Sequence, residues 1–405
     1  AAARRGTWFL LATRILRGLA AGIITIAFPY LVVEELRTGA LLLGVIYAGG
    51  AFSSALLAYG FGRFGSRGAM RTAYLASLVL LPTACFVLLL PANLALAAVA
   101  SVIGGFSATG SLASGGVGGI EMPLQTTILT SLTATSTRTR WFSRFTFTVG
   151  ISAALGALGA AFGTLHELFA IALVLSASSF FVAVAVPVRS IARGGHPSSR
   201  SGGVIRRFAT TGLLNGFSSG LLTPFLVPFF ILYFDIARSE MSVFTTAGST
   251  IGTFSVLVAP FLEARLGWVG AIVYTRGVAV GLAALMPFVP LFPALAMYVA
   301  LPTFRVAALP AQQSALMRNL PHSARAEGAG TNQAARLGAA GAATAVGGFA
   351  LEDVAAPVPF LGSACVLAVN AYFYTRFFGW HGERIQPAAD TLSDTDTESS
   401  RALPP

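Results

Sequence analysis

The sequence predicts an all-α membrane protein of twelve transmembrane helices in two six-helix bundles, with both termini cytoplasmic. Three observations lead there. The 405 residues are 55% hydrophobic and only 10% charged, with a mean hydropathy of +0.76. A water-exposed surface takes about 25% charged residues, so lipid must be the solvent for most of this chain. Apolar runs of spanning length recur from end to end, and a bilayer core takes about 20 helical residues per crossing. Finally, arginine-rich and arginine-poor loops alternate, which is what sets orientation in a membrane.

Taken in order, the first half offers apolar runs over 8–33, 40–61, 72–90, 93–130, 142–165 and 168–188. The second offers 211–234, 242–262, 269–291, 294–317, 328–351 and 357–378. None shows the roughly 10-residue alternating polarity of a barrel strand. The fourth run is far longer than the tenth, and its excess is the Gly/Ser-rich tract 104–116. Such a tract weakens a helix, and irregular backbone at membrane depth needs protein or a cavity to satisfy it. A broken helix or an outward loop is expected there. Residues 1–188 then form the N-terminal bundle, 189–207 (rich in Gly, Ser and Arg) a flexible cytoplasmic linker, and 208–380 the C-terminal bundle. The polar, acidic stretch 381–405 is expected to be a disordered cytoplasmic tail.

With the N-terminus inside, the inward segments carry Arg4, Arg5, Arg63, Arg67, Arg71, Arg138, Arg140, Arg206, Arg207, Arg318 and Arg325, among others. The outward loops carry only Arg37 and Arg238, together with Glu34, Glu35, Glu167, Asp235, Glu240, Glu352 and Asp353. The net charge of +11 therefore follows from topology, not from a nucleic-acid surface, because the arginines punctuate apolar runs and form no basic stripe. The implied location is the cell (inner or plasma) membrane, as a multi-pass monomer. The first apolar run is too long for a cleavable signal peptide. Cys85 and Cys365 sit in apolar runs and suggest neither a disulfide nor a metal site.

The halves echo one another. Gly18, Gly22 and Pro29 of the first helix match Gly216, Gly220 and Pro228 of the seventh, and Ala48-Gly49 matches Ala247-Gly248. Pro123-Leu124-Gln125 and Pro310-Ala311-Gln312 each precede an arginine, Arg138 and Arg325, by fifteen residues from the proline. The order is the same throughout, as a duplicated six-helix unit requires.

The loop Gly60-Phe61-Gly62-Arg63-Phe64-Gly65-Ser66-Arg67 resembles the cytoplasmic G-x-x-x-D-R-x-G-R/K signature of the major facilitator superfamily. Arg63, Gly65 and Arg67 match its gating positions. The acidic position is Gly62 and the leading glycine position is Ala58. In the family that acid helps pair the loop with a neighbouring helix. The glycines of the fifth span, Gly150, Gly156, Gly159 and Gly163, weakly resemble an exporter motif but lack its proline, so direction stays open. The resemblance covers the chain to about Trp380. It implies two bundles around a central site reached by alternating access.

Ionisable residues inside a membrane are costly and are functional candidates. Of the fifteen acidic residues only Glu121 falls inside a span, about 16 Å by helical rise from its cytoplasmic end. It is the candidate proton-coupling residue. Arg305 lies equally deep and resembles the arginine of the family's R-x-x-x-G-type motif. Glu121 precedes its proline by two residues and Arg305 its own by five, nearly a turn apart, so the two charges are candidates to face one cavity from opposite halves. The alternative for each is a fixed ion pair or a charge satisfied by backbone carbonyls. Arg14 and Arg17, three apart on the first span, share a face. With Arg336, Gln125 and Gln312 they complete the candidate cavity set, although snorkelling or helix-to-helix bonding also accounts for them. Arg144 and Arg276 read as interfacial, near helix starts.

His166, His196, His322 and His381 fall in loops or the tail without metal spacing, and no Walker-A sequence is present. Neither a metal nor a cofactor is expected. The reading is a secondary transporter of a small organic solute, coupled to protons or another ion, with efflux one possible direction. An uncoupled facilitator or an organic-anion uptake permease is the alternative. An enzyme or channel is less consistent with the absence of a catalytic cluster and of a filter-like segment.

Overall fold

A computed structural model describes residues 2–38, 40–106, 119–133, 137–188, 199–234, 236, 238–321, 324–353, 355 and 357–380. The first half comprises α1 (Ala2–Tyr30), α2 (Ala40–Phe64), α3 (Met70–Leu88), α4 (Leu94–Gly104), α5 (Met122–Leu132), α6 (Arg138–Gly159) and α7 (Leu165–Val184). The second comprises α8 (Ser199–Leu222), α9 (Leu226–Phe234), α10 (Arg238–Ser255), α11 (Ala259–Leu285), α12 (Leu291–Val306), α13 (Leu309–Arg318), α14 (Arg325–Asp353) and α15 (Pro357–Phe378). Each of the twelve apolar runs is helical over most of its described length. By length and composition, eight stretches among the described residues can cross a bilayer. Large apolar side chains face outward, Phe292 at 81% and Phe181 and Leu56 at 73% exposure, as they do where lipid is the solvent.

The fourth run is broken, as its glycines suggest. α4 starts on Asn93, whose side chain accepts from the Leu96 amide at 2.8 Å. It ends at Gly104, where Gly105 turns left-handed (φ 64°), a conformation glycine adopts without a Cβ clash. The freed backbone is satisfied by α2: Ser54 donates to the Gly105 carbonyl at 3.1 Å, and Ser53 donates to that of Val102 at 2.6 Å. Phe106 then packs edge-on to Phe28 with ring centroids 5.0 Å apart. The rest of the Gly/Ser tract, 107–118, lies outside the described residues. The chain resumes with the short turn Gly119–Glu121 and α5, with Pro123 in its first turn, where a missing N–H costs nothing. Pro310 holds the same place in α13.

The repeat is physical. Gly18 and Gly216 are 198 residues apart, as are Gly22 and Gly220; Val149 and Arg336 are 187 apart, as are Ala153 and Ala340. A Cβ on Gly22 would come within 2.1 Å of the Ala153 carbonyl oxygen, and one on Gly220 within 2.2 Å of that of Ala340. Gly18 faces the Val149 carbonyl and Gly216 that of Arg336 in the same way. Each half therefore presses its first helix on its fifth through the same glycine pair. Gly68 (φ 96°) and Gly267 (φ 70°), 199 apart like Gly49 and Gly248, break the chain between second and third helices of each half.

The halves meet along α2 and α14, which run antiparallel. A Cβ on Gly62 would lie 2.7 Å from the Ala326 carbonyl, one on Gly330 2.7 Å from that of Ala58, and one on Gly341 3.2 Å from that of Ala48. Gly62 and Ala58, the two departures from the family signature, are thus where backbones approach most closely, and no aspartate side chain fits at 62. A second seam joins α6 to α10, with Phe147 and Phe254 centroids 5.3 Å apart. Residues 199–207, which the sequence reading places in the linker, are the opening turns of α8; 189–198 and the tail 381–405 lie outside the described residues.

Candidate functional site

In the first half, α1 delivers Arg14 and Arg17 to the break between α4 and α5. Glu121, at the end of the three-residue turn, is 5% exposed. Both its carboxylate oxygens are used: Arg17 Nε donates to Oε1 at 3.0 Å and Nη2 to Oε2 at 3.1 Å. Arg17 Nη1 also donates to the Leu78 carbonyl of α3 at 3.2 Å. One turn further, Arg14 Nη1 donates to Gln125 Oε1 at 2.7 Å, and its guanidinium lies 4.4 Å from the centroid of Phe145 on α6. Glu121 sits where α5 begins, and there it lies between α1 and α3.

The second half builds a different cluster. Arg276, 6% exposed, donates to Asn370 Oδ1 on α15 and to Gln312 Oε1 on α13 at 3.4 Å. Its guanidinium sits 4.6 Å from the centroid of Tyr374. Asn370 in turn donates to the Thr211 carbonyl at 2.6 Å. Arg305 Nη2 donates to Ser218 Oγ at 2.8 Å, and Ser218 and Ser363 share a 2.8 Å hydrogen bond. Arg305 Nη1 is buried without a hydrogen-bond partner among the described residues.

The sequence candidates thus fall into two groups. Arg14, Arg17, Glu121 and Gln125 form one cluster; Arg305 and Gln312 belong to the other. Glu121 and Arg305 do not bond to each other: each bonds within its own half. Gln125 and Gln312, matched by the repeat, each accept a hydrogen bond from an arginine, but from helices that do not match, α1 and α11. Arg336 Nε donates to Gln333 on its own helix at 3.3 Å. In the loop, Arg63 is exposed and donates to Tyr59 at 3.4 Å, Arg67 is exposed, and Gly65 packs under Leu124 and Met70.

Arg276 corrects an expectation. It is not interfacial, because α11 is interrupted at Gly267 and the buried segment starts at Trp268, which places Arg276 about 12 Å along it. Arg144 does stay exposed, beside Trp141. Sequence reasoning also missed Asn370, the asparagine buried within the last helix, and the Arg318–Glu263 ion pair joining the ends of α13 and α11. A polar amide in the middle of an apolar run was the available sign for Asn370. Among the described residues no cluster of His, Cys, Asp or Glu could hold a metal.

No family profile and no curated protein matches this sequence. Solved structures do match its shape. The chain is similar to the human organic anion transporter TETRAN (TM-score 0.74, 16% identity, 92% of this chain and 100% of that one). It is similar to the nucleoside transporter NupG, in a point-variant form (0.62, 13%, 92% and 100%). It is also similar to a bacterial homologue of the iron transporter ferroportin in its outward-facing state (0.68, 16%, 93% and 99%).

Proposed function

We propose that this chain, whose fold is that of the major facilitator transporters, is a secondary active transporter moving a small organic solute by alternating access, with proton coupling at Glu121. The observation that carries the reading is the buried, two-pronged Arg17–Glu121 pair. As a pair the two charges nearly cancel, which is how ionisable groups are tolerated at this depth. A proton on Glu121 removes the counter-charge and leaves Arg17 a lone buried cation. That state is costly unless the helices shift, water enters or a solute takes the place of the carboxylate, so protonation and rearrangement are energetically linked. The break between α4 and α5 gives Glu121 a short, movable support. That the three structural neighbours move organic anions, nucleosides and iron supports transport in general and leaves the cargo to this chain's own residues.

A second reading has its own support. Arg17 is held at three points, two on Glu121 and one on Leu78, which also suits a permanent strut in an uncoupled facilitator. Reconstituted proteoliposomes separate the two. Wild type should accumulate solute on an imposed pH gradient, and Glu121→Gln should lose accumulation while keeping solute exchange. Equal accumulation by Glu121→Gln removes Glu121 as the coupling group and leaves the facilitator.

A further inference from the structure

We infer that Arg276 and Arg305 form an anion subsite, so that the solute is a small organic anion whose carboxylate or sulfonate they hold. The inference rests on the transporter reading above and adds the class of cargo. The two clusters differ in their charge balance. In the first, two arginines, Arg14 and Arg17, share one carboxylate, and Glu121 pairs with Arg17. In the second, Arg276 and Arg305 are both tied to the α8–α15 pair, one through Asn370 and Thr211 and the other through Ser218 and Ser363. Every partner they have among the described residues is neutral: Asn370, Gln312 and the Tyr374 ring for one, Ser218 for the other. Glu263, the acid closest to Arg276 in sequence, is already bound to Arg318.

Neutral dipoles can orient a guanidinium but cannot cancel its charge. Two like charges inside a bundle therefore call for a counter-ion that no described residue supplies. The orphaned Nη1 of Arg305 marks where it belongs: a buried N–H without an acceptor costs free energy and is rare unless something completes it. Arginine suits the task, since its planar fork matches a carboxylate or sulfonate. The repeat supports a specialised role. The position matching Glu121 in the 187-residue register is Ala308, so the second half has no carboxylate where the first has one.

The test uses the purified full-length protein. Its thermal unfolding is followed with benzoate, succinate and methanesulfonate, against benzamide and succinamide at matched ionic strength. At least one anion should raise the midpoint where the amides do not. Arg305→Gln should weaken that anion by about thirtyfold or more. Asn370→Asp, which sets a carboxylate against Arg276, should stabilise the ligand-free protein and weaken the same anion; it guards against an Arg305 variant that fails to fold. Anion affinity unchanged in both variants, stabilisation by the amides alone, or an effect confined to added phosphatidylglycerol would each overturn the assignment. Counterflow in proteoliposomes separates the two layers. Transport of only neutral or cationic solutes sinks the subsite and keeps the transporter. Anion binding with this mutational pattern but without counterflow keeps the subsite and sinks the transporter.

Discussion

Arg17 and Glu121 show how far single residues were legible. Glu121 stood out because it alone among the acids falls inside an apolar run read from the sequence, and Arg17 because it lies deeper than its side chain can easily snorkel. That they are each other's partner was not legible: they are 104 positions apart, and only the assembled bundle brings the carboxylate to α1. Because the pair is buried, removing one member should cost more than removing both. Arg17→Gln should destabilise the protein by about 3–5 kcal/mol, and adding Glu121→Gln should recover most of it. Thermal unfolding of the three variants checks this, and an Arg17→Gln protein as stable as wild type would mean that the pair is not shielded from water. Arg305 carries a second prediction. If it holds solute through its fork, Arg305→Lys should impair uptake nearly as much as Arg305→Ala while both variants stay folded. Normal uptake by both would leave Arg305 a structural ion.

At the scale of helices, glycines decide which elements touch. In apolar sequence a glycine says only that a close approach is allowed, and its partner comes from the assembled bundle. Gly22 and Gly220 meet the carbonyls of Ala153 and Ala340, so leucine at either position must push a first helix off its fifth. Gly22→Leu and Gly220→Leu should each reduce monodisperse protein in size-exclusion chromatography, and to a similar degree because the contacts are equivalent. Gly62 makes a complementary case. Restoring the family's acid as Gly62→Asp should weaken transport rather than improve it, because the side chain would strike the α14 backbone at Ala326. Uptake at or above the wild-type rate would show that α2 and α14 separate at no cost.

At the scale of the molecule, the repeat and the α2–α14 seam set two similar halves against each other along a narrow line of small residues. Orientation is a reading of the arginine distribution alone. Arg71, Arg207 and Arg325 donate to the carbonyls of Val184, Phe377 and Met317, at or near the C-termini of α7, α15 and α13, where cations also favour the helix dipole. In a background with Cys85 and Cys365 replaced, a cysteine at the exposed Arg37 should react with an impermeant thiol reagent from outside intact cells, and one at the exposed Arg67 should not. The reverse pattern would invert the topology.

The sequence by itself determined the solvent, the helices and their duplication. Hydropathy and charge spacing are sums over many residues and survive without knowledge of contacts. It also exposed Glu121, because an acid in an apolar run is visible locally. Tertiary structure alone decided which charges meet. The pairing of Arg17 with Glu121 and the bond of Arg276 to Asn370 join positions 104 and 94 residues apart in the chain, and Arg276 is buried behind the Gly267 interruption. Such contacts depend on where breaks at Gly105 and Gly267 rotate the following helix. A rotation of one residue, about 100° on a helix, moves a guanidinium from lipid to the bundle interior, and no local pattern in the sequence specifies it.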